Sequence, residues 1–424
     1  MAVSNDQTQL VGNFKDVWGS NVIELFKFNA PLATRIKFES GELVGGKYHV
    51  PVDLQQEHGF TYAAAANDPT LLAAVAGLMG DAQITGSQIY GRSRVSYEAI
   101  MRSQTDKQAV KQATKHVVKR LGRSGTKRLE IEMLHGQRGV GVISGISGTT
   151  TNRVLTISDA SWASGIWAGM ENCTLDAYKT VTTYADTKIN TNAKIVLASV
   201  QMSAKTLTVT GNSTDLTALD SYAASTGFLF FETSSTLASM AGIDAITRNT
   251  GTLFNVAGGT YALWQGNTFS TSTGTPSMAK FLEALSMAAS YGLQGMKATA
   301  IVSPKCFEVI NSDQAALRQY GVNYRASSAE NGFEGLLYHG QTGPLEILSH
   351  PFQKDGQAHI IVEEELHRIG ASDLSFVDRG AGGGERLILE TADSPSSEMR
   401  LQSHQAIYSE APRHMVLLDG ITYT

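Results

Sequence analysis

A glycine-rich stretch near the amino terminus carries residues that could bind a nucleotide. Gly41, Gly46 and Lys47 match the phosphate-binding pattern G-x-x-x-x-G-K-[ST] at every position but the last, which Tyr48 occupies. A working site needs a small hydroxyl residue for magnesium and a helix directly after the loop. Here the chain continues as YHVPV, which has strand character and a proline. The pattern favours a turn at Gly45 and Gly46 before an extended segment, with Lys47 as a solvated flanking residue.

Other motifs for catalysis or metal binding are incomplete. The histidines form no H-E-x-x-H pattern, no serine fits G-x-S-x-G, and Cys173 and Cys306 lie too far apart to indicate a disulfide framework. Glu363, Glu364 and Glu365 precede a histidine, but neighbouring residues of a strand point to opposite faces, so an exposed acidic edge is favoured over a metal site. The sequence therefore predicts no enzyme, no cofactor and no metal site.

Composition favours a large, partly β protein whose surface is polar more than charged. Of 424 residues, 17% are charged and 41 are glycine, and such a surface suits burial against other subunits. The formal net charge of -5 argues against a dedicated nucleic-acid binder. The start of the chain lacks a secretion signal, and the most apolar window, LLAAVAGLM, is about half the roughly 20 residues that a membrane span needs. We expect a soluble protein made in a cytoplasm.

Hydrophobic patterning divides the chain into segments. Residues 1–44 resemble an arm more than a packed domain, and 47–101 reads as a long two-stranded excursion, with strands YHVPVDL and SRVSYEAIM around an Ala- and Gly-rich middle. Residues 140–232 alternate short β runs with turns, which predicts a separate small barrel or sandwich with Trp162 and Trp167 in its core. A linker follows, then helices at 277–290 and 305–320 around a buried strand, ATAIVSP, and a last third that is mostly strand.

A basic helix is predicted after Ser103, which forms a capping-box pattern with Asp106. Gly122 and Gly125 are expected to kink or interrupt this helix before LEIEMLHG resumes it. Lysines recur every four residues along one side, where like charges repel by a few tenths of a kcal/mol per pair. Either solvent tolerates this repulsion or an acidic surface lies opposite. The lysines are Lys107, Lys111, Lys115 and Lys119.

The charge is distributed unevenly along the chain. Residues 92–138 contain twelve Lys and Arg against four acids, about +8, whereas 355–424 contain twelve acids and five Arg, about -7. Opposite blocks favour self-association, in which the basic surface of one subunit meets the acidic surface of another. The alternative is two solvated faces on a monomer.

The order of these elements resembles the major capsid proteins of tailed bacteriophages, which have the Hong Kong 97 type fold. The resemblance lies in an arm, VGGKYHVPV opening a long hairpin, SRVSYEAIMRS leading into a basic helix that ends in EIEMLHG, and a final YSEAPRHMVLLDGI. It implies an α+β fold with seven segments. These are an N-terminal arm (1–44), an E-loop (45–103), the spine helix of a peripheral domain (104–139), an inserted β-rich domain (140–232), a connection with peripheral-domain strands (233–275), an axial domain (276–365) and C-terminal return strands (366–424).

The resemblance also implies a function. It indicates a structural protein that assembles in the host cytoplasm into pentamers and hexamers of an icosahedral virion, enclosing double-stranded DNA without sequence specificity. Its expected partners are copies of itself, a scaffolding protein, a portal and optionally a decoration protein, without a membrane. Two alternatives stay open: a β-rich tail or binding protein in which 140–232 recognises carbohydrate, and a degenerate P-loop NTPase.

The same resemblance assigns candidate subunit contacts. Gly45 and Gly46 would form the hinge at the root of the E-loop, which would reach over a neighbouring subunit. Because no Lys lies between Tyr48 and Asp106, a Lys-to-Asn cross-link from this loop is not expected. The candidate contact residues are Gly45, Gly46, Lys47, Tyr62, Lys107, Lys111, Lys115, Lys119, Glu363, Glu364 and Glu365.

Overall fold

The computed structural model describes most of the chain from residue 30 onward. The described ranges are 30–41, 46–96, 107–179, 188–189, 194–220, 227–235, 238–312, 336–340, 343–376, 389–390 and 396–423, with the backbone alone at 107–116, 336, 339, 389–390 and 397. Most of the predicted arm, Gly45 and the Ser103/Asp106 capping box lie outside these ranges. The α-helices are α1 (Pro31–Arg35), α2 (Lys107–His135), α3 (Ser164–Trp167), α4 (Ser213–Leu219), α5 (Ile243–Thr247), α6 (Met278–Ser290) and α7 (Pro304–Ser312).

The strands form three larger sheets and two small ribbons. They are β1 (Phe38–Ser40), β2 (Tyr48–Gln55), β3 (Leu78–Ile84), β4 (Ser87–Ser96), β5 (Gly141–Gly148), β6 (Asn152–Ile157), β7 (Thr174–Tyr178), β8 (Ile195–Gln201), β9 (Thr206–Thr210), β10 (Gly227–Phe231), β11 (Thr252–Leu253), β12 (Val256–Ala257), β13 (Thr268–Ser270), β14 (Ala298–Val302), β15 (Leu336–Gly340), β16 (Gly343–Ser349), β17 (Gln357–Val362), β18 (Leu366–Phe376), β19 (Leu389–Glu390), β20 (Ser396–Ser409) and β21 (Val416–Asp419).

The long helix α2 packs on a five-stranded sheet. In this sheet β20 lies between β18 and β4, β1 pairs with β18, and β19 pairs with β20. The helix is continuous, so the predicted interruption at Gly122 and Gly125 is wrong. A Cβ at position 125 would collide with Leu401 of β20, whereas one at position 122 would lie 3.8 Å from Phe376 Cζ. Gly125 therefore permits close approach of the helix to the sheet.

Strands β5 to β10 close into a barrel in the order β10-β5-β6-β9-β8-β7. Its interior is filled by aliphatic side chains such as Ile143, Leu197 and Leu229, all fully buried. Trp162 and Trp167 are also buried and stack with ring centroids 6.5 Å apart, as expected of core residues. Of the two architectures that the sequence left open, the barrel is the one formed. Its status as an inserted domain stays a prediction.

A six-stranded mixed sheet forms the third large unit. Its order is β13-β21-β17-β14-β16-β15, with β14 parallel to β16 and antiparallel to β17. All five residues of β14 are buried, which confirms the buried strand predicted from ATAIVSP. Helices α6 and α7 contribute Phe281 and Ile310 to the core on this sheet. The helix predicted at 277–290 is confirmed as α6, and the one predicted from 305 is present up to Ser312, where the described range ends.

Strands β2 and β3 form an antiparallel ribbon at the base of a long hairpin, residues 48–84. Tyr48 pairs with Ile84, and the ribbon continues to Gln55 opposite Leu78. The expected partner of β2 was the SRVSYEAIM segment, and this pairing is wrong. That segment begins within β4, which pairs with β20 because its small and apolar residues are buried against α2. The hairpin therefore closes within the segment predicted as its soft middle.

The described residues include both cysteines and the helices that could be tested for length and apolar character. Cys173 and Cys306 are both free thiols, as expected. Among the described helices, none is both long enough and apolar enough to cross a membrane.

Candidate assembly surfaces

The nucleotide-binding pattern lies in a geometry that does not suit phosphate. Strand β2, not a helix, begins at Tyr48, and the Tyr48 side chain is buried in a cluster with Ile84 and Ile369. Lys47 Nζ donates to Gln83 Oε1 at 2.8 Å. Gly46 has a φ of +80°, which favours glycine, and a Cβ there would meet nothing within 4 Å. These residues shape the base of the hairpin.

The hairpin exposes an unusual amount of apolar surface. Beyond its ribbon, the two sides of the loop are held together by paired hydrogen bonds between His58 and Val75 (2.9 and 3.0 Å) and by the Leu72 N–H donating to Thr61 Oγ1 at 2.9 Å. Tyr62 is 93% exposed. Among the described residues, seven of the twelve large hydrophobic side chains that are exposed belong to this loop. They are Phe60, Tyr62, Leu71, Leu72, Val75, Leu78 and Met79.

Exposed apolar side chains on this scale mark surfaces that become covered in an assembly. The loop has little internal packing of its own, so its apolar residues gain no burial from the chain that carries them. The LLAAVAGLM window, which the composition analysis weighed only as a membrane segment, supplies five of the seven. Its exposure arises because the segment lies on an extended loop and not on a helix.

The candidate lysines lie on α2. The backbone of Lys107, Lys111 and Lys115 forms the first turns of this helix, while their side chains are outside the described part of the structure. The Lys119 side chain is exposed. The apolar stripe opposite is present where it is described, since Val117 and Leu121 pack with Val95 and Met399 of the sheet. The contact surface along the lysine row stays a prediction.

The three consecutive acids do not form an exposed edge, which corrects the sequence interpretation. They form a short 3-10 helix between β17 and β18, and each carboxylate has a different environment. Glu363 accepts from Arg35 at 2.7 Å and from Thr299 at 2.8 Å. Glu365 is buried and pairs with His414 at 2.7 Å. Of the three, only Glu364 is exposed, because the turn directs the side chains of Glu363 and Glu365 toward the rest of the protein.

These contacts perturb nearby titrations. The hydrogen bond that His414 donates to the Glu365 carboxylate raises the pKa of His414. Arg35 also pairs with Glu346, which lies on the six-stranded sheet. The hydrogen bond that Arg35 donates lowers the pKa of the Glu346 carboxyl to about 2. Lys297 binds the same carboxylate at 2.5 Å. The ion pairs hold the α1 segment against the six-stranded sheet.

Glu130 connects three parts of the chain, a role that no sequence motif indicated. Its carboxylate, fully buried on α2, accepts from the backbone N–H of Leu32 at 2.7 Å and of Ala33 at 3.1 Å. The Phe352 N–H donates to His350 Nδ1, so His350 Nε2 carries the ring proton and donates to Glu130 at 3.1 Å. Removal of the carboxylate would therefore leave three donors without their acceptor: the backbone N–H groups of Leu32 and Ala33, and the ring N–H of His350.

A second buried cluster surrounds Asp244, where α2, α5 and β17 meet. Asp244 accepts from Arg248 Nε at 2.7 Å, and Lys354 Nζ donates to the Gly139 carbonyl at 2.9 Å. Burial alone would raise the pKa of Asp244, but Arg248 and Lys354 together lower it. Burial lowers the pKa of Lys354 to about 8 and that of His359 to about 4. Among the described residues, no set of three side chains is placed to hold a metal ion.

The predicted meeting of basic and acidic blocks occurs in part inside one chain. Glu398 of β20, whose side chain is 2% exposed, accepts from Arg92 Nε at 2.8 Å, Arg94 Nε at 3.0 Å and Arg400 Nε at 2.6 Å. Arg92 lies directly opposite Arg400 in the β4–β20 register. Glu398 therefore finds its basic partners within its own chain and needs none from a second subunit. Because three arginines share this one carboxylate, an excess of positive charge remains on this face of the sheet.

Comparison with known proteins identifies solved structures that have a similar fold. No family model matches the sequence, and no curated protein matches it. The Cyanophage A-1(L) capsid asymmetric unit superposes on the chain with a TM-score of 0.55 at 9% identity, covering 97% of this chain and 98% of that chain. The capsid of a native GTA particle gives a TM-score of 0.50 at 8% identity and covers 100% of both chains. The predicted α+β fold of tailed-phage major capsid proteins is thereby confirmed.

Proposed function

We propose that this chain is a major capsid protein that assembles into the icosahedral head of a bacteriophage. The observation that carries the proposal is the match of its fold with capsid subunits over 97% and 100% of the chain. The function is then structural, and the virion is the site of action.

The hairpin supports self-association. Complete burial of a fully exposed apolar side chain contributes about 1.5–3 kcal/mol, so covering these seven would offset much of the entropy lost on association and on ordering the loop. Extended at about 3.3 Å per residue, residues 48–66 could span about 60 Å, enough to cross onto an adjacent subunit. Gly46 would act with Gly45 as the hinge that sets its direction.

Assembly in this proposal proceeds through pentamers and hexamers around double-stranded DNA held without sequence recognition. The predicted segments keep their proposed roles: residues 276–365 as the axial domain, 104–139 as the spine helix and 140–232 as the insertion. A scaffolding protein and a portal would guide closure, and a decoration protein could bind the outside. These partners follow from the capsid role and are proposals with it.

Electron microscopy of the full chain, alone and with a co-expressed scaffold, tests the function. We expect closed shells or rings of hexamer size in at least one sample. A uniform small particle in both samples would contradict the proposal. Hairpin variants refine the test: Tyr62→Ser with Leu72→Ser should prevent shells while leaving the unassembled chain folded.

A matched control uses exposed apolar residues outside the hairpin. Met202→Ser with Leu263→Ser removes similar side chains, 40% and 51% exposed, from the barrel and from the region before β13. This pair should assemble normally. If both pairs lost assembly equally, the loss would follow from removing exposed apolar side chains anywhere on the surface, and the hairpin would have no special role.

A further inference from the structure

A short ribbon from the middle of the chain meets the hairpin root, where β2 begins and β3 ends. Strands β11 and β12 are joined by Phe254 and Asn255 alone, since Leu253 pairs with Val256. Leu253 and Val256 are buried, and the indole N–H of Trp264 donates to the Leu253 carbonyl at 3.0 Å. The ribbon is therefore anchored in the core, and its turn is held on a fixed base.

The turn holds both of its residues in a strained backbone conformation. Phe254 has a φ of +52° and Asn255 a φ of +66°. Positive φ at both central positions is the geometry of a type I′ turn, in which Asn-Gly and Asp-Gly are preferred. Asn tolerates this region, whereas a bulky residue such as Phe is an outlier there. Such strain persists only when the surrounding contacts impose it, so we expect the ring of Phe254 to have a role that a smaller residue would not fill.

The contacts of Phe254 indicate that role. Its side chain is partly buried against a cluster that contains Tyr48 and Ile84, the first and last residues of the hairpin, and Ile369 of β18. Its carbonyl accepts from the N–H of Gln83 on β3 at 2.8 Å. One residue of a separate element therefore contacts the hairpin root both through its ring and through its carbonyl.

The rest of the root allows the angle of the hairpin to change. Strands β2 and β3 form a two-stranded sheet, which has no further strand beside it among the described residues. Gly46 lies two residues before β2 with a φ of +80°, and a Cβ there would meet nothing within 4 Å. The direction of the hairpin therefore depends on the contacts at its root, to which Phe254 contributes from outside the hairpin.

We propose that the β11–β12 turn is a latch that fixes the angle of the hairpin on its own subunit, with Phe254 as the positioning residue. The latch presets the direction in which the apolar loop leaves the subunit, so the loop loses less freedom when it becomes covered. The use of the latch in assembly rests on the proposed function, whereas the latch itself belongs to the single chain. The two can therefore be tested separately.

Substitutions within the turn separate the ring from the strain. Phe254→Asn removes the ring but suits the type I′ geometry, so it should favour the turn and release the hairpin. Asn255→Gly relieves strain at an exposed position and keeps the ring, so it should leave the hairpin in place. Phe254→Leu keeps part of the apolar contact, should give an intermediate result, and decides the question if Phe254→Asn does not fold. If the turn were only a connection, Phe254→Asn and Asn255→Gly would behave alike.

Double electron–electron resonance on the unassembled full-length chain measures the angle of the hairpin. Nitroxides are attached at two exposed positions, Glu57→Cys in the hairpin and Ser375→Cys in β18, with Cys173→Ser to remove the partly exposed thiol. Dilution with unlabelled chain restricts the measured distances to one copy. We expect a narrow distribution for Asn255→Gly, as for the parent chain, and a width at least about doubled for Phe254→Asn. An unchanged distribution in Phe254→Asn would overturn the latch.

Hydrogen exchange gives a second readout, at the contact itself. The Gln83 amide should exchange at least about tenfold faster in Phe254→Asn, because its opening then requires the loss of fewer contacts. Amides that bond between β2 and β3 should keep their protection, which separates release of the latch from unfolding of the hairpin. Loss of protection throughout these two strands would mean that Phe254 only stabilises the fold, and the proposal would be wrong.

Assembly tests what the latch does for the particle. Phe254→Asn should raise the concentration needed for shells by about fivefold, because the released loop loses more freedom on association. Asn255→Gly should assemble as the unmodified chain does. Normal assembly of Phe254→Asn with a loosened hairpin would overturn the role of the latch in assembly. If the unmodified chain itself formed no shells, the capsid proposal would be contradicted, and the distance measurement would still decide whether the latch exists.

Discussion

Replacement of Gly125 by alanine tests whether α2 depends on close approach to the five-stranded sheet. Gly125 is buried, and a Cβ added there would fall inside contact distance of Leu401 Cδ2 and lie 3.4 Å from Leu374 Cδ2. Leu401 is 2% exposed and has little space into which to move. Gly122, three residues earlier, offers the same backbone with only Phe376 Cζ nearby, at 3.8 Å.

The two substitutions should change stability in opposite directions. Alanine is favoured over glycine in a helix interior by about 1 kcal/mol, so Gly122→Ala should stabilise the chain by up to that amount. At position 125 the same gain is opposed by overpacking, which typically costs about 1–3 kcal/mol. We expect Gly125→Ala to lower the free energy of unfolding by about 1 kcal/mol, and the two variants to differ by about 2 kcal/mol.

Urea unfolding of the unassembled full-length chain, followed by far-ultraviolet circular dichroism, measures this difference. The packing argument also predicts that Leu401→Val, which shortens the colliding side chain, reduces the penalty of Gly125→Ala in a double-mutant cycle. Equal stabilisation by Gly122→Ala and Gly125→Ala would refute the reasoning. It would mean that the helix is not held against β20 by the absence of a side chain.

Further predictions concern the buried polar groups. Glu130→Ala should destabilise the chain by about 3–5 kcal/mol, because it leaves buried donors unpaired, and limited proteolysis should then cut near residue 32 before the rest unfolds. His359 binds a proton less readily when folded, with a pKa of about 4 against 6.5 unfolded, so stability should fall as pH drops through this window, by about 3 kcal/mol; the urea midpoint of His359→Gln should lose that part of the pH dependence. Glu365→Gln should lower the pKa of His414 in an NMR titration, since the hydrogen bond that His414 donates to the Glu365 carboxylate raises it, whereas Glu364→Gln should leave it unchanged.

The spacing of apolar residues along the chain was enough to predict those helices and strands whose formation does not depend on a distant partner. Helix α6 and strand β14 follow from apolar spacing, and the turn-rich texture of 140–232 predicted a small β unit, because each pattern reflects one buried face. The order of such elements was enough to predict the α+β capsid fold. Tyr62 was named a candidate subunit contact through the family resemblance; its side chain is 93% exposed, and its contact role stays a prediction.

Partner choice was decided only in three dimensions. The sequence paired β2 with the segment that begins in β4, but β4 pairs with β20, about 300 residues away, where α2 covers it. It predicted that Gly125 kinks or interrupts the helix, although the helix continues and the missing side chain leaves room for Leu401. It also placed Glu363 and Glu365 on an open edge, although Arg35 and His414 bind them. Each of these errors has one cause: charge and size along the chain specify what a residue can contact, while the long-range topology determines which partner it contacts.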